Sequence, residues 1–198
     1  MYLAFTLSVV FYMFLHSFLA HNKVKSIIYN KFMSERYYRL FFIFYAITFL
    51  MPIAYFYFTS NKTVYFKPDL YIYLISIILT IISLYIFYIS FKNYDFKEFL
   101  GLDRLQSANK IHYQLNTDGI NKHVRHPLYS ASYLLMAGVF LFSPDNYVLT
   151  ACIIIAIYLP IGIIYEEKKL IEEYGEKYIY YMQEVPMLIP KIKNYLKK

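Results

Sequence analysis

Five apolar stretches, separated by polar and mostly basic segments, frame this chain. Residues 1–20 form the first, interrupted only by Thr6, Ser8, His16 and Ser17. It has no basic start and no small-residue cleavage site, so it reads as a retained span rather than a signal peptide. Residues 40–58 form the second, with Pro52 expected to kink it, and residues 70–91 the third, without a single charge. Residues 128–142 and 147–164 are the fourth and fifth. Only Ser143-Pro144-Asp145-Asn146 joins them, too tight a turn for anything but an antiparallel pair. About 20 residues rising roughly 1.5 Å each cross a hydrocarbon core of about 30 Å. With no water there to satisfy the backbone, only helices or closed barrels can span it, and these runs are too continuous for barrel strands. The pattern predicts an all-α integral membrane protein of five transmembrane helices in one domain. Residues 1–91 are a three-span scaffold, and residues 92–198 carry the chemistry.

The polar segments add detail. Residues 21–39 read as a basic loop and residues 60–69 as a short polar connection. Residues 92–122 are the longest polar stretch, with Phe96-Lys97-Glu98-Phe99-Leu100-Gly101 as a short interfacial helix. Residues 165–181 are charged and helical by period, a cytosolic amphipathic helix that Gly175 interrupts and Pro186 and Pro190 end. Of the 20 lysines and arginines, 18 lie in residues 21–39, in residues 92–125 or after residue 164; Lys62 and Lys67 are the exceptions. Cations favour the cytoplasmic side, so the N-terminus is expected outside and the C-terminus inside. The working face is then on the cytoplasmic side of an inner or plasma membrane.

Composition agrees. Hydrophobic residues make up 59% and charged residues 17%, against about 25% charged in globular chains. The net charge of +7 flanks the apolar runs, so the lipid bilayer is the expected partner rather than nucleic acid. The lone Cys152 rules out an internal disulfide and cannot supply a zinc site. His112, His123 and His126 are not spaced as metal ligands.

Two polar clusters stand out. Asp118 to Tyr129 contains Arg125 and His126, and Pro127 suits the first turn of the next helix, where its missing N–H costs nothing. Such a helix start attracts anionic groups. At the far end of the hairpin, Glu166 and Glu167 point about 100° apart on a helix, so one can turn inward while the other meets water. The hairpin would bring both clusters to one membrane face, suiting a zwitterionic ligand with a carboxylate and an ammonium. A plainer account exists for each residue alone. Arg125 can snorkel to headgroups, the glutamates can form a solvated face, and Tyr129, Tyr174, Tyr178 and Tyr181 can form an interfacial belt. His16 reads as a packed, hydrogen-bonded residue.

The ordered set lifts the functional reading. Gly119-Ile120, Val124-Arg125-His126-Pro127-Leu128-Tyr129, Glu166-Glu167-Lys168-Lys169-Leu170, Tyr174-Gly175-Glu176-Lys177-Tyr178 and Val185-Pro186-Met187-Leu188-Ile189-Pro190 resemble the isoprenylcysteine carboxyl methyltransferase superfamily. The likeness covers about the last 80 residues. His16-Ser17, Val24-Lys25 and Tyr94 to Leu105 look like the branch holding methanethiol S-methyltransferases and denitrification-associated membrane proteins.

The resemblance implies S-adenosylmethionine as methyl donor, in a cytosolic pocket made by the last two spans and the C-terminal segment. His126, Pro127 and Tyr129 would line it, with Glu166 or Glu167 near the donor's ammonium and Tyr178 and Pro186 as further contacts. Arg125 and Glu167 are assigned to catalysis, and no metal is needed. The acceptor would be a hydrophobic small molecule or lipid, entering from the bilayer, with a thiol or carboxylate as the family expectation and an amine or a neutral lipid headgroup also open. Two positions depart from the pattern. Glu184 stands where the carboxyl-methylating members commonly have arginine, which disfavours an anionic acceptor, and Ala131 replaces a common glycine. Two alternatives stay open: a non-catalytic membrane subunit or assembly factor of the same fold, and an NADPH enzyme of the sterol-reductase type.

Overall fold

The computed structural model describes residues 1–92 and 115–191. The expected interfacial helix over residues 96–101, the motif from Tyr94 to Leu105 and His112 lie outside them. The described residues are all-α, with α1 (Tyr2–Ala20), α2 (Asn22–Lys31), α3 (Glu35–Thr48), α4 (Leu50–Thr59), α5 (Leu70–Lys92), a 3-10 turn at Gly119–Lys122, α6 (Pro127–Phe142), α7 (Asn146–Tyr174) and α8 (Glu176–Glu184). Among the described residues, four stretches are long and apolar enough to cross a bilayer: α1, Leu40–Thr59, α5 and α7. At most 17% of the most apolar window of any of them is buried inside the protein, so their apolar side chains are left for lipid. The chain is thus an integral membrane protein. The expected fourth span, α6, has 16 residues and rises only about 24 Å.

Three local expectations are revised. The basic loop over residues 21–39 contains α2 and the start of α3, and the His21 ring nitrogen caps α2 by accepting from Lys23 N at 3.3 Å. The second span breaks at Phe49 between α3 and α4, three residues before Pro52, whose ring crowds the carbonyl of Thr48. The fifth span and the charged segment as far as Tyr174 are one helix, α7, of 29 residues running through Pro160, and Gly175 divides the rest from it as expected. Pro160 cannot donate to the carbonyl of Ala156. The Tyr133 hydroxyl donates to that carbonyl instead, at 3.1 Å, which keeps the backbone satisfied where water is absent.

The chain forms two compact units. Among the described residues, the first comprises 1–67 and 144–155. Phe5 and Val9 of α1 are buried there against Tyr147, with Ile53, Phe56 and Tyr57 of α4 packed around them. Asp145 is 1% exposed and fully engaged. One carboxylate oxygen accepts from the backbone N–H groups of Tyr147 and Val148, each at 2.9 Å, capping α7. The other accepts from the Tyr57 hydroxyl at 3.3 Å. His16 packs against Phe42 with ring centroids 5.0 Å apart, but its Nδ1 has no hydrogen-bond partner.

The second unit comprises 68–92, 115–143 and 156–191 among the described residues. Its frame is the α5–α6 pair. Ser76, Ser83 and Ser90 recur every seven residues on α5 and are at most 2% exposed. They make a seam of small residues that lets two membrane helices approach closely. The Ser76 hydroxyl donates to Gly138 O and the Ser83 hydroxyl to Ala131 O, both at 2.8 Å. A Cβ on Gly138 would lie 2.6 Å from Thr80 Oγ1 and 3.1 Å from Ser76 O.

Gly138→Ala should therefore destabilise the protein by about 1–3 kcal/mol through overpacking. Adding Thr80→Ala should recover part of the loss, because the tightest contact is to that hydroxyl. Chemical denaturation in detergent measures both, and additive losses in the double variant would refute the close approach.

Candidate functional site

The last turns of α7 carry apolar and charged residues on one continuous helix, so Glu166 and Glu167 take different environments, as their spacing requires. Glu167 is buried at 8% exposure, while the Glu166 side chain is 43% exposed. Glu167 Oε1 is a hub. It accepts from Arg125 Nε at 2.9 Å, lies 2.8 Å from Arg125 Nη2 and lies 3.0 Å from His126 Nε2. A carboxylate can only accept, so His126 carries its proton on Nε2. His126 Nδ1 is 3.8 Å from Glu166 Oε2, an electrostatic contact too long for a hydrogen bond.

Arg125 also reaches the C-terminal end of α8. Its Nη1 donates to Met182 O at 2.9 Å and to Val185 O, satisfying carbonyls that a helix end leaves open. The strap after α8 then runs alongside the start of α6. Arg125 N donates to Pro186 O at 2.9 Å, and His126 N to Met187 O at 3.0 Å. The Ser130 hydroxyl donates to Leu188 O at 2.7 Å. The strap thus engages the backbone N–H groups of the two residues that precede α6.

Gly175 sits between α7 and α8 with φ +59, in the left-handed region where glycine is at no disadvantage. The reversal turns one face of α8 inward. Tyr178 and Tyr181 are 1% and 7% exposed, three residues apart on that face. The Tyr181 hydroxyl donates to Asn121 O at 2.6 Å. The Tyr178 hydroxyl is buried without a hydrogen-bond partner. Burial pushes its pKa up, the Glu167 carboxylate adds to that, and the Arg125 guanidinium opposes it. The phenol therefore stays a neutral donor. Tyr129 stands edge-on to His126, ring centroids 5.5 Å apart, and its hydroxyl packs where a Cβ on Gly162 would be 3.3 Å away.

Arg125, His126, Pro127, Tyr129, Glu166, Glu167, Tyr178 and Pro186 therefore lie in one unit, tied by direct contacts or by adjacency along the backbone. Glu184 is exposed, and its carbonyl accepts from Lys191 Nζ at 3.0 Å. Tyr181 was expected only in an interfacial belt, and Asn121 and Ser130 were not anticipated. The three-residue spacing of Tyr178 and Tyr181 was a readable signal for the first. Nothing in the sequence pointed to the carbonyls that hold Arg125.

A family model described as phospholipid methyltransferase matches residues 71–177, from α5 into α8. Among curated proteins, a methanethiol S-methyltransferase of Pseudomonas deceptionensis is 38% identical over 96 residues, 48% of this chain and 35% of that protein. A methanethiol S-methyltransferase of Crocosphaera subtropica (strain ATCC 51142 / BH68) is 40% identical over 81 residues, 40% of this chain and 30% of that protein. The chain spans about a third of the length of these curated relatives. No solved structure gives a significant match. The resemblance to the isoprenylcysteine carboxyl methyltransferase superfamily, and within it to the methanethiol S-methyltransferase branch, is upheld by these matches. With a match running over more than half of its length, and with the Arg125-to-Tyr129 and Glu166–Glu167 clusters inside the matched region, this chain belongs to the phospholipid methyltransferase family.

Proposed function

We propose that this protein is an S-adenosylmethionine-dependent membrane methyltransferase acting on a hydrophobic or membrane-associated acceptor. The observation that carries the reading is the joining of His126, Glu166 and Glu167 at one helix end, inside the region that the family model matches. When bound, S-adenosylmethionine supplies an activated methyl group, and the protein has mainly to position reactants and exclude water. The residues fit such a group at two points. The half-exposed Glu166 carboxylate suits its ammonium, and the buried, unpartnered Tyr178 hydroxyl suits an acceptor atom of the ligand. Pro127, Tyr129 and Pro186 supply walls. Arg125 and Glu167, assigned to catalysis from the sequence, are engaged with one another, so their first role is to hold α6, α7 and the strap together. The relatives' names, both specifying a thiol acceptor, support a thiol over a carboxylate. The asymmetry of basic residues supports a cytoplasmic site, an outside N-terminus and α6 as a fifth, short crossing.

Isothermal titration with S-adenosylhomocysteine tests the site. Glu166→Gln should weaken binding by about 1–3 kcal/mol, the loss of a charge-assisted hydrogen bond, with little change in melting temperature. Unchanged affinity would remove Glu166 from the site.

Tyr178→Phe should raise the melting temperature of the ligand-free protein, because it deletes a buried hydroxyl that lacks a partner. The same change should shrink the stabilisation that S-adenosylhomocysteine produces. A ligand-induced shift as large as that of the parent protein would show that this hydroxyl does not face the donor.

Orientation is testable in intact cells on a Cys152→Ser background. A cysteine at Asn61 should react with an impermeant maleimide from outside, and one at Lys169 only after permeabilisation. The reverse pattern would invert the topology.

A further inference from the structure

The described glycines differ in what they are for. Gly119 and Gly175 take positive φ. Gly138 lets two helices approach, since a Cβ there would meet the backbone of α5 at Ser76 O and Thr80 N. Gly162 does neither. It lies inside α7 with no positive φ, and the three heavy atoms nearest to a Cβ built on it all belong to the Tyr129 side chain. They are the hydroxyl oxygen at 3.3 Å and two ring carbons at 3.6 and 3.9 Å. Glycine is a poor helix former, so this position needs a reason, and what fills its open side is a single phenol from α6. Glu166 shares the face of Gly162 one turn later, and Tyr158 shares it one turn earlier. The Tyr129 hydroxyl therefore stands in a notch between them, within electrostatic reach of both. The same ring is edge-on to His126, whose Nδ1 is 3.8 Å from Glu166 Oε2.

We infer that Gly162 is a positioning residue of the donor site: the side chain it lacks leaves the place where the Tyr129 hydroxyl stands, and that hydroxyl sets the direction of the Glu166 carboxylate. The inference rests on reading Glu166 as the partner of the donor's ammonium. Its physical basis is preorganisation. A glutamate side chain that is 43% exposed samples several rotamers, and fixing it on binding costs affinity. A hydroxyl donor beside the carboxylate favours one of them before the ligand arrives, so less is lost when it does. A Cβ at position 162 would displace the phenol by a few tenths of an ångström and leave Glu166 free to turn to water. Tyr129 is then more than a wall of the site. It acts through Glu166, and Gly162 acts through Tyr129.

A double-mutant cycle read by isothermal titration with S-adenosylhomocysteine tests this. Gly162→Ala should weaken binding about threefold, and Tyr129→Phe by at least as much. In the Tyr129→Phe protein the 3.3 Å contact is gone and the other two are ordinary van der Waals distances, so adding Gly162→Ala should cost no further affinity. The melting temperature of ligand-free Gly162→Ala should hold, because alanine's better helix propensity offsets the small shift of the phenol. A glycine that served packing alone would lower it and leave affinity unchanged. Unchanged affinity in Gly162→Ala, or equal losses in the two backgrounds, overturns the inference. Glu166 also gives a readout that needs no donor. Its labelling by a water-soluble carbodiimide with glycine ethyl ester, followed by mass spectrometry, should be faster in both single variants. If the parent protein binds no S-adenosylhomocysteine, the donor reading falls. Faster labelling then upholds the positioning of Glu166, and labelling at the parent rate refutes it.

Discussion

A single carboxylate oxygen, Glu167 Oε1, holds the second unit's working end together. It takes N–H donors from Arg125 and His126 at 2.8 to 3.0 Å, and Arg125 passes the connection on to the carbonyls of Met182 and Val185. Three segments far apart in sequence are thereby joined: the end of α7, the start of α6 and the exit of α8. A buried carboxylate with its partners removed costs about 3–5 kcal/mol. The arrangement is therefore all-or-none: each member is tolerable in this environment only because the others are present. The strap across residues 185–190 is placed by the same logic, since its carbonyls accept the backbone N–H groups that precede α6.

The same constraint governs the spans. Where lipid replaces water, a polar group gains from a partner inside the protein, although His16 Nδ1 has none. Ser76 and Ser83 give their hydroxyl protons to carbonyls of α6, and Tyr133 fills the gap that Pro160 leaves in α7. These residues let α5 and α6 meet at the distance of a glycine and an alanine. In the first unit, Asp145 follows the same rule, with both carboxylate oxygens engaged at 1% exposure.

Division of labour between neighbouring glutamates follows from helix geometry. Glu167 serves the framework and Glu166 remains half-open to solvent.

Membrane character, helical class and the clusters at residues 125–129 and 166–167 were legible from the chain alone, because apolar run length and helix periodicity act locally. The partners of those clusters were not. That Glu167 rather than Glu166 turns inward, that Arg125 binds carbonyls of α8, and that Tyr178 is buried without a partner depend on three distant segments meeting. The seven-residue serine seam on α5 was visible as spacing, but its meaning required a glycine and an alanine on another helix. Likewise, α2 lay hidden in a segment read as a basic loop, and α7 ran on past the expected end of its span. Local pattern specifies which residues can be helical or lipid-facing. Which buried donor meets which acceptor is decided by packing, since a polar group shielded from water has few partners within reach and must take the one that folding brings.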